Sequence, residues 1–213
     1  MKVSRRQWCQ LSGAALAVAL DRPRWRARRE RCVLDAADDP RANLRGWRGV
    51  GLAPVHAADL LREQGPVWLA VPAEAPLDQR LAAHLACRLR AGGAVIWEAP
   101  SLAGRPELLA AWRSLGGIAA ATPPLNLFPT PQSSPYLRLR LGREQWWLRH
   151  DSEAVGVIPA GGDGFLSGDD GAIFGVWRAW GRGRIACCGT RLGAPLHRGD
   201  LAARQWVRAF LAI

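Results

Sequence analysis

The segment that decides the fold covers residues 66–98 and reads PVWLAVPAEAPLDQRLAAHLACRLRAGGAVIWE. It opens and closes with short apolar runs, at 66–71 and 94–97, and each run predicts a buried strand. Leucines recur every four residues over 77–89, which predicts a helix with one apolar face. The glycine pair at 92–93 suits the left-handed end of that helix. Strand, helix and strand in this order are typical of a parallel sheet with crossover helices.

Similar patterns continue on both sides of this segment. Residues 32–34 predict an earlier buried strand, and residues 118–121 predict a later one. Five prolines in the stretch 122–135 predict an extended connector without regular structure. Beyond it, Gly-Arg-Gly at 181–183 predicts the tight turn of a β-hairpin. We therefore expect a single domain at 32–213 that contains this connector.

The composition agrees with one globular domain. The chain has 213 residues, of which 49% are hydrophobic. Its formal net charge is +11, and all of its basic residues except Lys2 are arginines. An arginine bias of this kind is typical of a GC-rich genome, so the charge alone does not indicate a nucleic-acid partner, and we predict none. The five cysteines show no zinc-ligand spacing, and we predict neither a metal nor a cofactor.

The N-terminus resembles a twin-arginine export signal. Arg5 and Arg6 stand shortly before Trp8, and an uncharged apolar segment follows. In signals of this kind, a receptor reads the arginine pair and the apolar residue beyond it. The sequence Ala-Val-Ala at 17–19 fits the small-x-small pattern that signal peptidases cut. We therefore predict an export signal at 1–19.

This signal predicts where the protein is found. Its apolar segment is shorter than the roughly twenty residues that cross a bilayer, so we expect an exported protein, periplasmic or in the cell envelope, with the export machinery as a partner. The basic linker at 20–31 contains six arginines, which make the cleavage site less typical. An uncleaved N-terminus attached to the membrane therefore stays open, and we expect membrane contact nowhere else. An ordinary amphipathic N-terminal helix is the other interpretation.

The central pattern resembles a known superfamily. The strand at 67–71, the leucine-striped helix that ends in Gly-Gly and the strand at 95–97, together with Trp-Gly-Arg-Gly-Arg-Ile at 180–185, are similar to the class I glutamine amidotransferase-like superfamily, particularly its trehalose-utilisation-protein-like branch. The resemblance covers residues 31–213. It implies an α/β fold with a flavodoxin-like, mostly parallel sheet flanked by helices and a C-terminal antiparallel β-hairpin extension.

The chain departs from this superfamily at the catalytic position. Catalytic members carry a cysteine nucleophile in a tight turn directly after a strand. Here the corresponding turn at 98–101 reads Glu-Ala-Pro-Ser and has no cysteine. Cys188 precedes a glycine, but it comes late in the chain, after the predicted hairpin. We therefore do not expect amidotransferase chemistry, and the sequence leans against an enzyme.

Polar residues follow the predicted strands at the edge where open parallel sheets bind their ligands. These residues are Asp35, Asp38, Asp39, Glu74, Glu98 and Ser101. Carboxylates gathered on one rim hold a divalent cation or supply acid and base for hydrolysis. The alternative is that they are helix caps and solvated loop charges. Convergence of Asp35, Glu74 and Glu98 would favour hydrolysis, whereas wide separation would favour binding.

Trp146 and Trp147 are neighbours in a predicted strand, so their rings should lie on opposite faces of the sheet. One ring is then exposed and available to stack on a sugar or a protein partner. The leading interpretation is an exported, non-catalytic binding or accessory protein whose partner is a carbohydrate or an envelope protein. Two alternatives stay open: a hydrolase that uses the acidic rim, with or without a metal, and a membrane-attached component of an envelope complex.

Overall fold

The computed structural model describes residues 31–35, 42–75, 77–99, 106–121, 125–126, 136–149 and 153–211. The predicted export signal with Arg5, Arg6 and Trp8, the linker before residue 31 and most of the proline-rich connector lie outside these residues. Three residues of the predicted rim also lie outside them, namely Asp38, Asp39 and Ser101. Among the helices that are described, none has the length and apolar character needed to span a lipid bilayer.

The described residues form six helices and thirteen strands. The helices are α1 (Ala42–Gly49), α2 (Ala57–Leu60), α3 (Gln79–Ala91), α4 (Pro106–Gly116), α5 (Gly193–His197) and α6 (Leu201–Leu211). The first strands are β1 (Arg31–Leu34), β2 (Ala53–Val55), β3 (Val67–Val71), β4 (Gly93–Glu98), β5 (Ile118–Ala121) and β6 (Leu125–Asn126). The later strands are β7 (Tyr136–Leu141), β8 (Glu144–Arg149), β9 (Glu153–Ala154), β10 (Val157–Pro159), β11 (Asp163–Ser167), β12 (Ile173–Trp180) and β13 (Gly183–Cys188).

Nine of these strands form one mixed sheet in the order β2-β1-β3-β4-β13-β12-β11-β7-β8. The strands β2, β1, β3, β4 and β13 run parallel to one another. From β13 onwards, β12, β11, β7 and β8 each pair antiparallel with the preceding strand. Two small antiparallel ladders, β10–β5 and β6–β9, complete the described sheets.

The expectation of a flavodoxin-like, mostly parallel sheet is therefore wrong, because four of the eight pairings in the large sheet are antiparallel. The physical reason lies in the connections. Only residues 142–143 join β7 to β8, and only residues 181–182 join β12 to β13. Two-residue turns reverse the chain, whereas a parallel pair needs a crossover of about a dozen residues. The strand predicted at 118–121 exists as β5, but it pairs with β10 outside the large sheet.

Each face of the sheet carries an apolar cluster, because successive strand residues point to opposite sides. In β3, Leu69 belongs to one cluster and Ala70 to the other. The leucine stripe of α3 packs on the first face together with Trp112 of α4. On the second face, Trp47 of α1 and Trp206 of α6 are buried with residues of α5. The helices on this second face include α1 and α5, which lie beside the carboxyl ends of β3 and β4.

Candidate functional site at the carboxyl ends of the parallel strands

Glu98, the last residue of β4, is fully buried and its carboxylate is surrounded by N–H donors. Its Oε1 atom accepts hydrogen bonds from the indole Nε1 of Trp47 at 3.0 Å and from the backbone N–H groups of Leu192 at 2.9 Å and Gly193 at 3.1 Å. Because all of these partners donate, the arrangement suits an ionised carboxylate. The oxygen therefore fixes the segment between β13 and α5 against α1.

The second oxygen of Glu98 connects two further segments. Its Oε2 atom accepts hydrogen bonds from Nδ2 of Asn43 at 2.7 Å and from the backbone N–H of Ala73 at 2.8 Å. Asn43 and Trp47 are four residues apart on α1, so both side chains lie on the same face of that helix. One buried carboxylate thus joins α1, the loop after β3 and the loop after β13.

Two glycines allow α1 to approach α5 closely enough for these bonds. A Cβ atom on Gly46 would lie 1.8 Å from the carbonyl oxygen of Gly193. A Cβ atom on Gly193 would lie 2.2 Å from the carbonyl oxygen of Asn43. Neither position has room for a side chain, so the contact between these two helices depends on both glycines.

Burial dominates the acidity of Glu98. Removal from water disfavours the charged form and raises the pKa of this carboxyl group to about 7, from an ordinary value of 4.5. The hydrogen bonds from Asn43, Ala73 and Gly193 oppose the rise, and the nearby charge of Glu74 adds to it. The carboxyl group therefore changes its charge near neutral pH although no solvent reaches it.

Glu74 lies next to Glu98 and shares a donor with it. The Nδ2 atom of Asn43 also donates to Oε2 of Glu74 at 2.8 Å, and the guanidinium Nε of Arg191 donates to Oε1 of Glu74 at 2.8 Å. Oε2 of Glu74 and Oε2 of Glu98 thus contact the same nitrogen atom, which keeps the two carboxylates close together. Unlike Glu98, the side chains of Glu74 and Arg191 are 25% and 33% exposed. We call Asn43, Glu74 and Arg191 the rim cluster.

Asp35, the residue after β1, has a different set of partners. Its backbone N–H donates to the carbonyl oxygen of Val55, and its carboxylate lies 3.6 Å from a guanidinium nitrogen of Arg48 and 3.8 Å from Nδ1 of His56. Within the described residues, no three His, Cys, Asp or Glu side chains are close enough together to hold a metal ion. The structure thus brings Glu74 and Glu98 together, whereas Asp35 has separate contacts with Arg48 and His56.

Sequence reasoning missed three polar residues of this site, Asn43, Trp47 and Arg191. The four-residue spacing of Asn43 and Trp47 was a signal for a shared helix face, but both residues lie on a helix, whereas the predicted rim consists of residues that follow strands. Arg191 follows β13, which pairs in parallel with β4. A parallel neighbour of β4 ends on the same rim, so knowledge of that pairing would have identified Arg191.

The cysteines of β13 do not offer a nucleophile. Cys187 and Cys188 are buried and unpaired. Burial raises the pKa of both thiols well above the ordinary value, which disfavours the reactive thiolate. Ala99 directly follows the end of β4 at Glu98, so the described part of this turn also has no cysteine.

The two tryptophans of the predicted stacking pair lie on β8, five strands from β4 in the sheet order. Trp146 is partly buried against the second apolar cluster. Trp147 is 48% exposed. Neither residue belongs to the rim cluster, and stacking of Trp147 on a ligand stays a prediction.

Comparison with known proteins gives similarity at the level of the fold. No family model and no curated protein sequence matches the chain. Among solved structures, the chain is similar to a β-galactosidase from the Antarctic haloarchaeon Halorubrum lacusprofundi, with 16% identity over 86% of this chain and 30% of that chain and a TM-score of 0.59. It is also similar to the GH42 β-galactosidase Gan42B from G. stearothermophilus, with 15% identity over 86% of this chain and 30% of that chain and a TM-score of 0.57.

A third similar structure is the exo-β-1,4-mannosidase Op5Man5 from Opitutaceae bacterium strain TAV5. Identity is 12% over 96% of this chain and 38% of that chain, with a TM-score of 0.52. The chain therefore spans about a third of the length of the enzymes it resembles. At these identities the similarity shows a shared fold, and these neighbours are glycoside hydrolases rather than amidotransferases.

Proposed function

We propose that the protein serves carbohydrate metabolism by binding a saccharide at the rim cluster, as a binding or accessory protein. The observation that carries this proposal is the buried Glu98 carboxylate, which fixes Asn43 while Glu74 and Arg191 remain partly exposed beside it. The partly exposed carboxylate of Glu74 and guanidinium of Arg191 offer an acceptor and donors for sugar hydroxyl groups, and the buried amide of Asn43 holds the Glu74 carboxylate in place. A site held in place before the ligand arrives loses little entropy on binding.

The structural neighbours support carbohydrate as the ligand class. The proteins similar to this chain are named as β-galactosidases and a β-1,4-mannosidase. We therefore expect a ligand that contains β-linked galactose or mannose. The part of those enzymes that corresponds to this chain is about a third of their length, so the proposal does not assign their activity to it.

Hydrolysis of a glycosidic bond is the second candidate function, and the same neighbours favour it. Glycoside hydrolases use two carboxyl groups on either side of the scissile bond, one of them with a raised pKa. Glu74 and Glu98 share Asn43, and the pKa of Glu98 is raised to about 7. The geometry around Glu98 favours binding without hydrolysis. This carboxylate is fully buried, and the Asn43 amide occupies the space between the two glutamates where a scissile bond would have to lie.

Calorimetric titration with β-1,4-galactobiose and β-1,4-mannobiose tests the binding proposal. Glu74→Gln removes one charged acceptor, and we expect affinity to fall about tenfold, which corresponds to about 1.4 kcal/mol. The matched control is Glu144→Gln, which removes an exposed glutamate at the start of β8 and should leave affinity within about twofold. Binding that is absent, or equal in the two variants, would contradict the proposal.

Turnover of 4-nitrophenyl β-galactoside and β-mannoside distinguishes the two candidates. Binding without turnover supports the binding protein. Turnover that is lost in both Glu74→Gln and Glu98→Gln would establish the hydrolase in its place. If neither binding nor turnover occurs, both candidate functions fail together.

We also propose that the protein is exported through the twin-arginine route, with the rim cluster acting in the periplasm or cell envelope. The support is the order of Arg5, Arg6 and Trp8 before an uncharged apolar segment. Whether the N-terminus is then cut or holds the protein to the membrane decides between a free binding protein and a membrane-attached envelope component. Sequencing of the mature N-terminus separates these two outcomes.

A further inference from the structure

The hairpin formed by β7 and β8 has one apolar face and one exposed polar face. Leu137, Leu139 and Leu148 are buried on the first face, which packs against Trp206 of α6 in the second apolar cluster. The side chains between them point to the other side, because strand residues alternate. Cross-strand partners share a face, and the register gives six residues on it: Tyr136, Arg138, Arg140, Gln145, Trp147 and Arg149. We call this surface the Arg–Trp face.

The Arg–Trp face presents aromatic rings to solvent. Trp147 is 48% exposed and Tyr136 is 44% exposed, and they are the only large aromatic side chains in the described part of the chain with such exposure. Tyr136 and Trp147 lie on adjacent strands, on diagonal positions of one face, where side chains of this size come within reach of each other. Exposed aromatics grouped on a rigid strand pair indicate a contact surface.

The same face carries positive charge that nothing in the described residues neutralises. Arg138, Arg140 and Arg149 all belong to it, and no ion pair to any of them is found in the described part of the chain. The nearest acidic residue of the hairpin, Glu144, pairs with Leu141 and so belongs to the opposite face. The face is therefore suited to an anionic partner.

Arg138 and Trp147 form a fixed unit within this face. The guanidinium of Arg138 lies over the indole ring of Trp147, 5.3 Å from the ring centroid. The Nε atom of Arg138 is buried, and among the described residues it has no hydrogen-bond partner. The guanidinium thus contacts one side of an indole that is 48% exposed, and its remaining N–H groups keep their donor capacity.

We propose that the Arg–Trp face binds an acidic polysaccharide, a chain of uronic acid residues. One pyranose ring stacks on the exposed indole of Trp147, and Arg140 and Arg149 bind carboxylates of the neighbouring sugars. Along a strand, alternate residues are about 7 Å apart, so the arginines form a fixed array on the two strands. This site is separate from the rim cluster and does not depend on the function proposed there.

Two other anionic partners fit the face less well. A lipid surface is bound by a broad apolar stripe of aliphatic and aromatic side chains that inserts between headgroups, whereas the Arg–Trp face offers two aromatic rings and no aliphatic residue. A single-stranded nucleic acid is bound by several aromatics that stack on successive bases, whereas the described face offers one exposed indole and one exposed phenol. A polyuronate needs one stacking ring and several fixed guanidiniums, as found here.

Affinity electrophoresis and calorimetry with polygalacturonate test this proposal, with neutral galactan as the matched polymer. We expect binding to polygalacturonate that weakens with salt and no binding to galactan. Trp147→Ala should weaken binding by about fivefold to tenfold, and Arg149→Gln by about threefold to tenfold. The control is Arg143→Gln, which removes the same charge from the turn of the same hairpin and should change affinity by less than about twofold.

Several outcomes would overturn the proposal. Equal weakening by Arg143→Gln and Arg149→Gln would mean that net charge alone attracts the polymer. Unchanged affinity of a folded Trp147→Ala protein would exclude stacking, as would equal binding to galactan. Tighter binding to a single-stranded oligonucleotide or to phosphatidylglycerol vesicles would assign the face to phosphate groups. Glu74→Gln, which alters the rim cluster, should leave polygalacturonate binding unchanged, so the two sites fail or succeed separately.

Discussion

Replacing Glu98 by glutamine tests the central electrostatic feature of the structure. The pKa of this carboxyl group is raised from 4.5 to about 7 by burial. A group with a raised acidic pKa binds its proton more tightly in the folded protein than in the unfolded chain. The stabilisation that this proton gives to the folded state is therefore complete below pH 4.5 and is lost as the pH rises from 4.5 to 7. Above pH 7 the contribution of this group to the free energy of unfolding stays constant. The free energy of unfolding of the wild-type protein should decline across this window.

The size of the decline follows from the shift. A shift from 4.5 to about 7 corresponds to about 3 kcal/mol, and most of it, about 2.5 kcal/mol, falls between pH 5 and pH 8. Glutamine at position 98 does not titrate in this range. The difference in unfolding free energy between wild type and Glu98→Gln therefore isolates this group, because the remaining titrating groups are common to both proteins.

The substitution also has a cost that does not depend on pH. The amide NH₂ of glutamine would face donors that now converge on a carboxylate oxygen, and one of these donors would lose its acceptor. Asn43 can turn its own amide so that Oδ1, which has no hydrogen-bond partner within the described residues, accepts from the new NH₂ group. That rotation would give up the bond to Glu74 and leave the N–H of Ala73 unpaired, at about 1–3 kcal/mol.

Urea unfolding followed by tryptophan fluorescence, at intervals from pH 5 to pH 8, measures both quantities. We expect wild type to lose about 2.5 kcal/mol relative to Glu98→Gln over this range. A difference that stays flat, or that grows in favour of wild type with rising pH, would refute the reasoning. A flat difference would mean that the surrounding donors balance the effect of burial on the carboxylate, and a difference that grows in favour of wild type would mean that they outweigh it.

Two further predictions concern the glycine contact and the N-terminus. Gly46→Ala should lower the unfolding free energy by about 3 kcal/mol or more, because its Cβ atom would lie 1.8 Å from the carbonyl oxygen of Gly193. Gly49→Ala on the same helix is the control, because a Cβ atom at residue 49 would have no neighbour within 4 Å, and we expect it to be neutral or slightly stabilising. Equal losses of unfolding free energy in the two variants, measured by urea unfolding, would contradict the packing argument. Arg5→Lys with Arg6→Lys keeps the charge but should trap the protein in the cytoplasm, as measured by cell fractionation; normal export of this variant would disprove the signal.

The strands and helices around 66–98 could be predicted from the sequence because their signals are local. The leucine spacing of α3 and the apolar runs of β3 and β4 are patterns within a few residues. The direction of the sheet was predicted wrongly, because antiparallel pairing was expected only for the hairpin at 181–183, as an extension of a mostly parallel sheet. In the structure, residues 142–143 form a second two-residue turn, and antiparallel pairing runs from β13 through β12, β11 and β7 to β8. Those turns were visible in the sequence, and turn length alone requires antiparallel pairs there.

The candidate site could be predicted only in part, for a related reason. Glu74 and Glu98 were found because each follows a readable strand. Their partners lie far away in the sequence: Asn43 is 55 residues from Glu98, and Leu192 is 94 residues from it. No local pattern joins such segments, because the contact depends on how α1 and α5 pack against each other across Gly46.

The energetics of Glu98 connect the fold to the proposed function. A buried carboxylate with a raised pKa makes the folded state less stable at neutral pH than a well-packed apolar residue would. The carboxylate fixes three segments against one another: α1, the loop after β3 and the loop after β13. These segments carry Asn43, Glu74 and Arg191 respectively. Under the proposed function, the rim cluster is held in one geometry by a buried group whose raised pKa lowers stability at neutral pH, a relation that supports a binding site.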